Sequence, residues 1–512
     1  MIRSSIVYGG LTLISRVMGL ARDTVAAAVL GASATIAADA YYTALSFPNL
    51  FRRIFAEGAF TAAFVPAYAR TLAEKGQAEA DRVAVDALAV LATVTTALTI
   101  VAMLAMPWLM TIINPGFIDN PQKFQLAVVL TQITMPYLPA ITIVALLSGV
   151  LNARGKFIVS ALAPTLLNLF ILAGLLIPNQ SPAGASFSAS WGILAAGVGQ
   201  ALMLVWGVRR AGASIRLRMP RITPEIKAVF ALAIPGVIAG SATQINVFIS
   251  QALSSQVDGA RAWLSNADRL YQLPLGLVGV AVGVALLPAL SKAIGAGEDQ
   301  RAQSSMDDAL GFSMALTLPA ATALMVIPLL LVEGLFLRGA FNAFDAQQTA
   351  AALFHYGWGA PAFVLTKVLA PAFFARRDTK TPMYFALAAV ALNVVLCFVL
   401  FHFIGVPGLA IATSASAWLN VALMVVTLQR RGTWSPGRSV VVRIAKVLLA
   451  CLGMAVIIGL PASQRSVIEP VLRGKEITML AICALGALGY MVLLVGLRAI
   501  TPSEMRAALK RR

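Results

Sequence analysis

Long apolar runs recur along the whole chain, and most of them reach the roughly 20 residues that a helix needs to cross about 30 Å of hydrocarbon. Fourteen such runs are predicted as transmembrane helices. Their spans are 5–31, 34–70, 83–112, 123–152, 157–178, 187–208, 225–255, 262–292, 303–332, 346–370, 382–404, 408–429, 440–460 and 475–498. With 59% hydrophobic and 12% charged residues, and a mean hydropathy of +0.84, the chain is predicted to be an all-α polytopic membrane protein.

Three of the predicted spans are longer than a membrane requires. The first, second and eighth contain glycines, prolines or charges, so we expect these helices to be bent or broken. Irregular backbone at membrane depth is tolerated where it faces protein or water. These three helices are therefore the ones expected to line a cavity.

The distribution of Lys and Arg predicts the orientation, because positively charged loops stay in the cytoplasm. With the N-terminus inside, 27 basic residues fall on the cytoplasmic side and six on the other side. The sequence therefore predicts cytoplasmic N- and C-termini. This bias also explains most of the net charge of +18 through contact with anionic headgroups, and we expect no nucleic-acid partner. The basic segment RRAGASIRLRMPR, residues 209–221, is interpreted as a topology anchor.

Six basic residues lie within the predicted spans, where each costs about 2.5–3.5 kcal/mol at a helix centre unless it has a partner or faces a cavity. They are Arg16, Arg22, Arg52, Arg53, Arg269 and Lys367. The acids expected to pair with them, in charge-pairing or gating roles, are Asp23, Asp39, Glu57 and Asp268. We therefore expect a surplus of two positive charges in the spans.

Two interpretations of these charges remain open. Each arginine could pair with a nearby acid and only hold helices together, as Arg22 beside Asp23 suggests. Alternatively, the arginines line a basic cavity that binds an anion. The planar guanidinium suits phosphate oxygens, so a diphosphate is the expected ligand. The expected surplus favours the cavity.

Two weak internal similarities predict a duplicated architecture. AFVPAYAR at 63–70 resembles ALLPALSK at 285–292, at an offset of 222, and ADAYYTALSFP at 38–48 resembles ADRLYQLP at 267–274, at offsets of 226 to 229. Six predicted helices separate equivalent points, so the two halves have the same orientation. We expect lobes at 1–221 and 222–432, with two further helices and a basic tail at 433–512.

Other chemistry is sparse. The cysteines, Cys397, Cys451 and Cys483, stand singly in apolar runs without metal-ligand spacing, and no P-loop is present. The sequence predicts no enzyme activity, no metal site and no cofactor. Any energy must then come from an ion gradient, the membrane potential or the substrate gradient.

Four stretches carry a family resemblance: SRVMGLARD (15–23), DAYYTALSFPNLFRRIFAEGAFTAAFVPAYA (39–69), ADRLYQLPLGLVGVAVGVALLPALSK (267–292) and KVLAPAFFARRDTKTP (367–382). They resemble the MurJ/MviN lipid II flippases of bacterial peptidoglycan synthesis, in the multidrug/oligosaccharidyl-lipid/polysaccharide exporter superfamily. The resemblance spans essentially the whole chain. It implies two six-helix lobes, a groove for the undecaprenyl tail at helices thirteen and fourteen, and a cationic central cavity that opens to each face in turn.

The resemblance also assigns roles to individual residues. The substrate-binding residues it implies are Arg16, Arg22, Arg52, Arg53 and Arg269, and the second-helix charges Asp39 and Glu57 match as well. The implied substrate is lipid II, an undecaprenyl-diphosphate-linked disaccharide peptide, which is flipped to the periplasmic face of the inner membrane. Cell-wall synthesis or division proteins and membrane lipids are the other expected partners. The resemblance implies a sodium site on helices seven, eleven and twelve, but predicted helix seven lacks a clear acidic counterpart. Coupling to a monovalent cation or to the membrane potential therefore stays open.

Three rival functions are weighed against lipid II flipping. A flippase for another undecaprenyl-diphosphate-linked oligosaccharide is the nearest, and the motifs at 47–69 and 367–382 disfavour it. A drug or cation antiporter of the same superfamily would use mainly acidic cavity residues. An enzyme acting on polyprenyl phosphates would need clustered acids for Mg²⁺, whereas the acids expected in these spans are scattered.

Overall fold

The structure, a computed structural model, describes residues 2–52, 59–215 and 218–499. Within these ranges, side chains are not described for residues 2–9, 12, 51, 52, 59–63, 229, 230, 232–243 and 277–285. The described backbone is helical and contains no strand. The predicted all-α fold is therefore confirmed.

Nineteen α-helices make up the described chain. They are α1 (Ile2–Leu30), α2 (Ala37–Arg52), α3 (Ala59–Lys75), α4 (Gln77–Leu104), α5 (Met106–Ile113), α6 (Pro121–Thr134), α7 (Tyr137–Ala153), α8 (Ile158–Leu175), α9 (Pro182–Arg210), α10 (Pro224–Ser254), α11 (Ala260–Gly295), α12 (Asp299–Val326), α13 (Pro328–Phe336), α14 (Ala343–Phe374), α15 (Lys380–Ile404), α16 (Val406–Arg430), α17 (Arg438–Ser463), α18 (Arg465–Leu472) and α19 (Lys475–Gly496). Every predicted span coincides with one or two of these helices.

Three predicted spans are each divided into two helices at a proline. The span 83–112 divides into α4 and α5 ahead of Pro107, 123–152 into α6 and α7 at Pro136, and 303–332 into α12 and α13 ahead of Pro328. Proline lacks the N–H that would continue the ladder and restrains the residue before it. Ten helical segments of the described chain are long and apolar enough to cross a membrane. The protein is thus multi-pass, and the count of fourteen crossings stays a prediction.

The three over-long spans differ from one another. The first is one uninterrupted helix, α1, and the eighth is one 36-residue helix, α11, with Pro274 and Pro288 inside it. The expected breaks are therefore wrong for these two, and only bending stays a prediction. In the second span α2 ends at Arg52 and α3 begins at Ala59, while residues 53–58 lie outside the described part.

The first compact unit comprises residues 1–262 and 338–342. Helix α8 packs against α1 and α9, and α2 packs against α6. Close approach of α8 and α9 depends on small residues, because a Cβ on Gly174 would lie 2.5 Å from the carbonyl oxygen of Ser188. An apolar cluster that includes Met106, Met110 and Phe117 fills the space beside α2 and α6.

The second compact unit comprises residues 263–337 and 343–512. Helix α14 packs against α12 and α16, while α17 packs against α12 and α19. The helices predicted as thirteenth and fourteenth, α17 and α19, share a buried apolar cluster with α12 and α13. The border at residue 262 follows packing, whereas the predicted lobes follow the internal repeat. The lobe borders therefore stay a prediction.

Candidate substrate site

Arg22 is a buried arginine of α1 whose partners lie on α1 and α8. Its Nε and Nη2 atoms donate to Oδ1 of Asp23 at 2.9 and 2.6 Å, and Nη1 donates to Oδ1 of Asn168 at 3.0 Å. Asn168 in turn donates to the carbonyl oxygen of Ser15 at 3.0 Å. These contacts fix the plane of the guanidinium while using three of its five N–H groups. Among the described residues the other two N–H groups have no acceptor.

Asn168 was not predicted from the sequence. It is a single amide in the apolar run PTLLNLFI, and its role depends on the packing of α8 against α1. A buried side-chain amide needs hydrogen-bond partners, and here Arg22 and the α1 backbone supply them. The first-helix charges are thus held by protein atoms on two helices. The ion pair of the first interpretation is present, and binding of substrate by Arg22 stays a prediction.

Asp39, predicted to have a charge-pairing or gating role, forms an ion pair with Lys123. The Nζ atom of Lys123 lies 2.6 Å from Oδ2 of Asp39 and 2.8 Å from Oδ1 of Asp258. Asp39 and Lys123 are 0% and 2% exposed, whereas the Asp258 side chain is 73% exposed. The backbone N–H of Gly259 also donates to Oδ2 of Asp39, at 2.9 Å. Lys123, the first residue of the predicted span 123–152, is one of the six basic residues that the sequence assigns to the non-cytoplasmic side.

A second set of contacts holds the same segment between α10 and α11. Arg261 donates from Nη1 to Oδ1 of Asn114 at 2.8 Å and from Nη2 to Oγ of Ser46 at 3.0 Å. Asn114 is fully buried and Arg261 is nearly so. Together with Asp39 and Lys123, these residues join α2, the segment before α6, the first turn of α6 and residues 258–261. We call this set, with Asp258 and Gly259, the Asp39 network.

Gly116 brings two backbone segments of the same region into direct contact. A Cβ at this position would lie 2.5 Å from both the Cα of Gln256 and the carbonyl oxygen of Ser255. The N–H of Gly116 also donates to Oγ of Ser255 at 3.1 Å. The segment between α10 and α11 is therefore held by packing as well as by charge.

The remaining predicted residues of the first unit are less completely described. Arg16 lies half-buried on α1, six residues before Arg22. Arg52 ends α2 and its side chain is not described, while Arg53 and Glu57 lie outside the described residues. The predictions made for these four charges stay predictions.

The second unit contains the other three predicted charges. Arg269 and Asp268 are half-buried neighbours on α11, and Asp268 accepts a hydrogen bond from Nε2 of Gln272 one turn later. Lys367 is an exposed residue of α14. Because these residues belong to one unit and Arg16, Arg22 and Asp39 to the other, their assembly into one cavity stays a prediction.

The expected surplus of two positive charges in the spans stays a prediction. Asp86, Asp307 and Asp308 also fall within predicted spans, on α4 and α12, and were not counted. Asp86 is buried, and its Oδ1 has no hydrogen-bond partner in the described chain. Arg443 and Lys446 also fall within the thirteenth predicted span and were counted with the loops, so the case for a cationic site rests on where individual arginines lie.

The chain is similar to known proteins over most of its length. A family model described as "Lipid II flippase MurJ" matches residues 26–468. A Rhizobium tropici protein named "Probable lipid II flippase MurJ" is 42% identical, and the match covers 96% of this chain and 92% of that protein.

Solved structures agree with this match. One described as "Lipid II flippase MurJ, inward closed conformation" is 25% identical, with a TM-score of 0.78, covering 95% of this chain and 98% of that chain. An inward-facing multidrug resistance MATE transporter of the MOP superfamily shares the fold at 16% identity, with a TM-score of 0.69 over 83% of this chain and 97% of that one. The resemblance found in the sequence is confirmed, and the chain belongs to the MurJ family of lipid II flippases, which are transporters.

Proposed function

We propose that this protein moves lipid II from the cytoplasmic to the periplasmic face of the bacterial inner membrane and catalyses no covalent reaction. The observation that carries the proposal is the family match over residues 26–468, together with 42% identity to a probable lipid II flippase across nearly the whole chain. The rival flippase for another undecaprenyl-diphosphate-linked oligosaccharide and the drug antiporter are disfavoured by the same match.

The substrate's diphosphate binds to arginines of a central cavity in this proposal. Arg22 supports it best, because Asp23 and Asn168 fix its guanidinium and leave two N–H groups without an acceptor in the described chain. A fixed planar donor fits two phosphate oxygens at once. Arg16, Arg52, Arg53 and Arg269 complete the proposed binding set, with Asp268, Glu57 and Lys367 in pairing roles.

Transport occurs by alternating access in this proposal, and the Asp39 network is the latch of the periplasmic side. Its residues come from α2, from α6 and the segment before it, and from residues 258–261. The first two belong to the predicted lobe 1–221 and the last to the lobe 222–432. Moving these lobes apart on that side would separate Lys123 from Asp258 and Arg261 from Asn114.

Both termini lie in the cytoplasm in this proposal, as the distribution of basic residues predicts. The exposed Arg209 and Arg210 then lie beside anionic headgroups, and Arg210 stacks over the ring of Trp206 at 5.3 Å. Aromatic and basic side chains together are typical of the membrane surface. Cell-wall synthesis or division proteins could dock on cytoplasmic loops, and transport could be coupled to a monovalent cation or to the membrane potential.

The proposed function is tested in cells where this protein is the sole flippase and can be shut off. A lipid II-cleaving enzyme is added from outside, and cleaved lipid II is measured by mass. We expect cleavage to stop on shut-off while lipid II accumulates inside. Unchanged cleavage would contradict the proposal, and accumulation of a different undecaprenyl-linked sugar would support the rival substrate. A covalently changed lipid product would indicate an enzyme instead.

A further inference from the structure

The first of two matching sets of polar contacts lies where α9 ends, in the first unit. Asp81, a buried residue of α4, accepts from Nη2 of Arg154 at 2.5 Å and from the backbone N–H of Ser214 at 2.9 Å. Arg154 also donates from Nη1 to the carbonyl oxygen of Ala211 at 3.2 Å. One turn before Asp81, Nε2 of Gln77 donates to the carbonyl oxygen of Gly212. We call Gln77, Asp81, Arg154 and residues 211–214 the first bracket.

The second unit contains a counterpart where α16 ends. Asp307 of α12 accepts from the backbone N–H of Gly437 at 3.1 Å and from Nε1 of Trp434 at 3.0 Å. Nε2 of Gln303, one turn earlier, donates to the carbonyl oxygen of Ser435. Arg376 donates from Nη2 to the carbonyl oxygen of Thr433 at 3.1 Å. Gln303, Asp307, Arg376 and residues 433–437 form the second bracket.

The two brackets occupy equivalent positions of the internal repeat. Gln77 and Gln303 are 226 residues apart, as are Asp81 and Asp307, and Arg154 and Arg376 are 222 apart. These offsets agree with those of the sequence repeat. The same three residue types thus hold the same segment in each half, although the two aspartates differ in their remaining partners. A contact that recurs in both halves is a feature of the repeated unit rather than an accident of one loop.

Each bracket joins three connections of its own half. In the first, these are the start of α4, the turn between α7 and α8, and the segment that leaves α9. Both carboxylate oxygens of Asp81 and of Asp307 accept from donors, so each aspartate is needed as a double acceptor. The helix ends that each bracket joins therefore keep a fixed spacing.

The second bracket is reinforced by an ion pair next to it. Arg431 donates to Oδ2 of Asp378 at 2.7 Å and to Oγ1 of Thr381 at 3.0 Å. The hydrogen bond from Arg431, with further bonds from Thr381, lowers the pKa of Asp378 to about 2. This carboxylate therefore stays ionised throughout the physiological range. Gly437, which Asp307 holds, directly precedes α17, so the bracket also fixes where α17 begins.

We propose that Asp81 and Asp307 are positioning residues for transport, each holding the helix ends of its half at a fixed spacing so that the half moves as one body. The inference rests on the proposed function, since it concerns how the halves move during flipping. Neither aspartate contacts substrate in this account. Each acts through the segment that follows the last helix of its six-helix half.

The test compares isosteric substitutions with matched controls. Asp81→Asn and Asp307→Asn each replace an acceptor oxygen by an NH₂ group that faces a donor. Glu79→Gln and Asp308→Asn remove a charge one or two residues away, at a half-buried and an exposed position respectively. Lipid II flipping is measured per folded molecule. We expect a fall of about tenfold in the two bracket variants and no change in the controls.

A distance measurement separates positioning from general destabilisation. Spin labels at Glu74→Cys and Arg210→Cys, two exposed sites of the first unit, report the spacing of α3 and α9 in a chain whose native cysteines are replaced. We expect one narrow distance with and without lipid II, unchanged by Glu79→Gln and broadened by Asp81→Asn. If Asp81→Asn does not fold, Gln77→Glu is measured instead. This variant sets a carboxylate against the Gly212 carbonyl at an exposed site, and the distribution of distances must then broaden.

Normal flipping by a folded Asp81→Asn protein would overturn the proposal, as would lost flipping with an unbroadened distance. A wild-type protein that does not flip lipid II would contradict the proposed function alone, because the distance measurement would still test the bracket.

Discussion

Replacing Lys123 by methionine removes the only ammonium of the Asp39 network. Lys123 and Asp39 are almost completely buried and lie 2.6 Å apart. Methionine preserves much of the apolar stem, so the change acts mainly on charge. The Asp39 carboxylate would then keep one donor in the described chain, the N–H of Gly259, and its Oδ1 already has none.

The expected cost follows from burial. Removing one partner of a buried ion pair typically costs about 3–5 kcal/mol, because the other charge stays buried without compensation. The contact with Asp258 is different, since that side chain is 73% exposed and such pairs contribute less than about 1 kcal/mol. Lys123→Met should therefore destabilise the protein by about 3–5 kcal/mol, roughly a hundredfold or more in the folding equilibrium, and Asp258→Asn by less than about 1 kcal/mol.

Thermal unfolding of the purified protein in detergent measures these differences, and a double-mutant cycle isolates the pair. Asp39→Asn combined with Lys123→Met removes both charges, so most of the loss should be recovered. Equal effects of Lys123→Met and Asp258→Asn would refute the reasoning. A double variant that is as unstable as the sum of the single ones would refute it too.

Three further predictions concern single sites. Gly116→Ala should lower the free energy of unfolding by about 1–3 kcal/mol, because the added Cβ has no room. A Cβ at Gly295 meets nothing within 4 Å, so Gly295→Ala should leave the free energy of unfolding unchanged. Thermal unfolding distinguishes the two variants. Asn168→Leu removes the acceptor of an Arg22 N–H and should cost about 1–3 kcal/mol in the same assay, so an unchanged midpoint would contradict that role. Arg269→Ala should abolish flipping in folded protein, and Arg269→Lys should retain part of it if charge alone suffices. Full activity of Arg269→Ala would remove this residue from the site.

The helices follow closely from the sequence, because apolar runs long enough to cross a bilayer have few alternative structures. The breaks before Pro107 and Pro328 and at Pro136 do not follow from proline alone, since other prolines inside predicted spans, such as Pro164 and Pro319, lie within uninterrupted helices. Hydropathy measures burial in lipid and is insensitive to one missing backbone donor.

The polar contacts were harder to predict. Asp39 and Lys123 are 84 residues apart, and only the packing of α2 against α6 brings them together. From the sequence, Lys123 stands at the end of a predicted span, where a cation is usually solvated. The pair of Arg22 with Asp23 was expected from adjacency, but Asn168 depends on how α8 packs. Local pattern predicts neighbours along a helix, whereas partners on other helices require the tertiary fold.

The two brackets could be predicted from the sequence only in part. A Gln and an Asp four residues later stand near the N-terminus of both α4 and α12 at an offset of 226, so the repetition was present in the sequence. Polar residues at helix ends are common, and nothing in the pattern showed that Asp81 and Asp307 hold the loops after α9 and α16. The offset becomes informative once both sets of hydrogen bonds are seen.

The most direct test of the account is flipping by the purified protein in liposomes that contain a fluorescent lipid II. Lipid II is placed in one leaflet, and its appearance in the other is followed by a quencher that does not cross the membrane. We expect transfer of lipid II between the leaflets to require the protein and to be lost in folded Arg22→Ala protein. A lipid without the diphosphate should not be transferred. No transfer above protein-free liposomes, or equal transfer of the lipid that lacks a diphosphate, would contradict it.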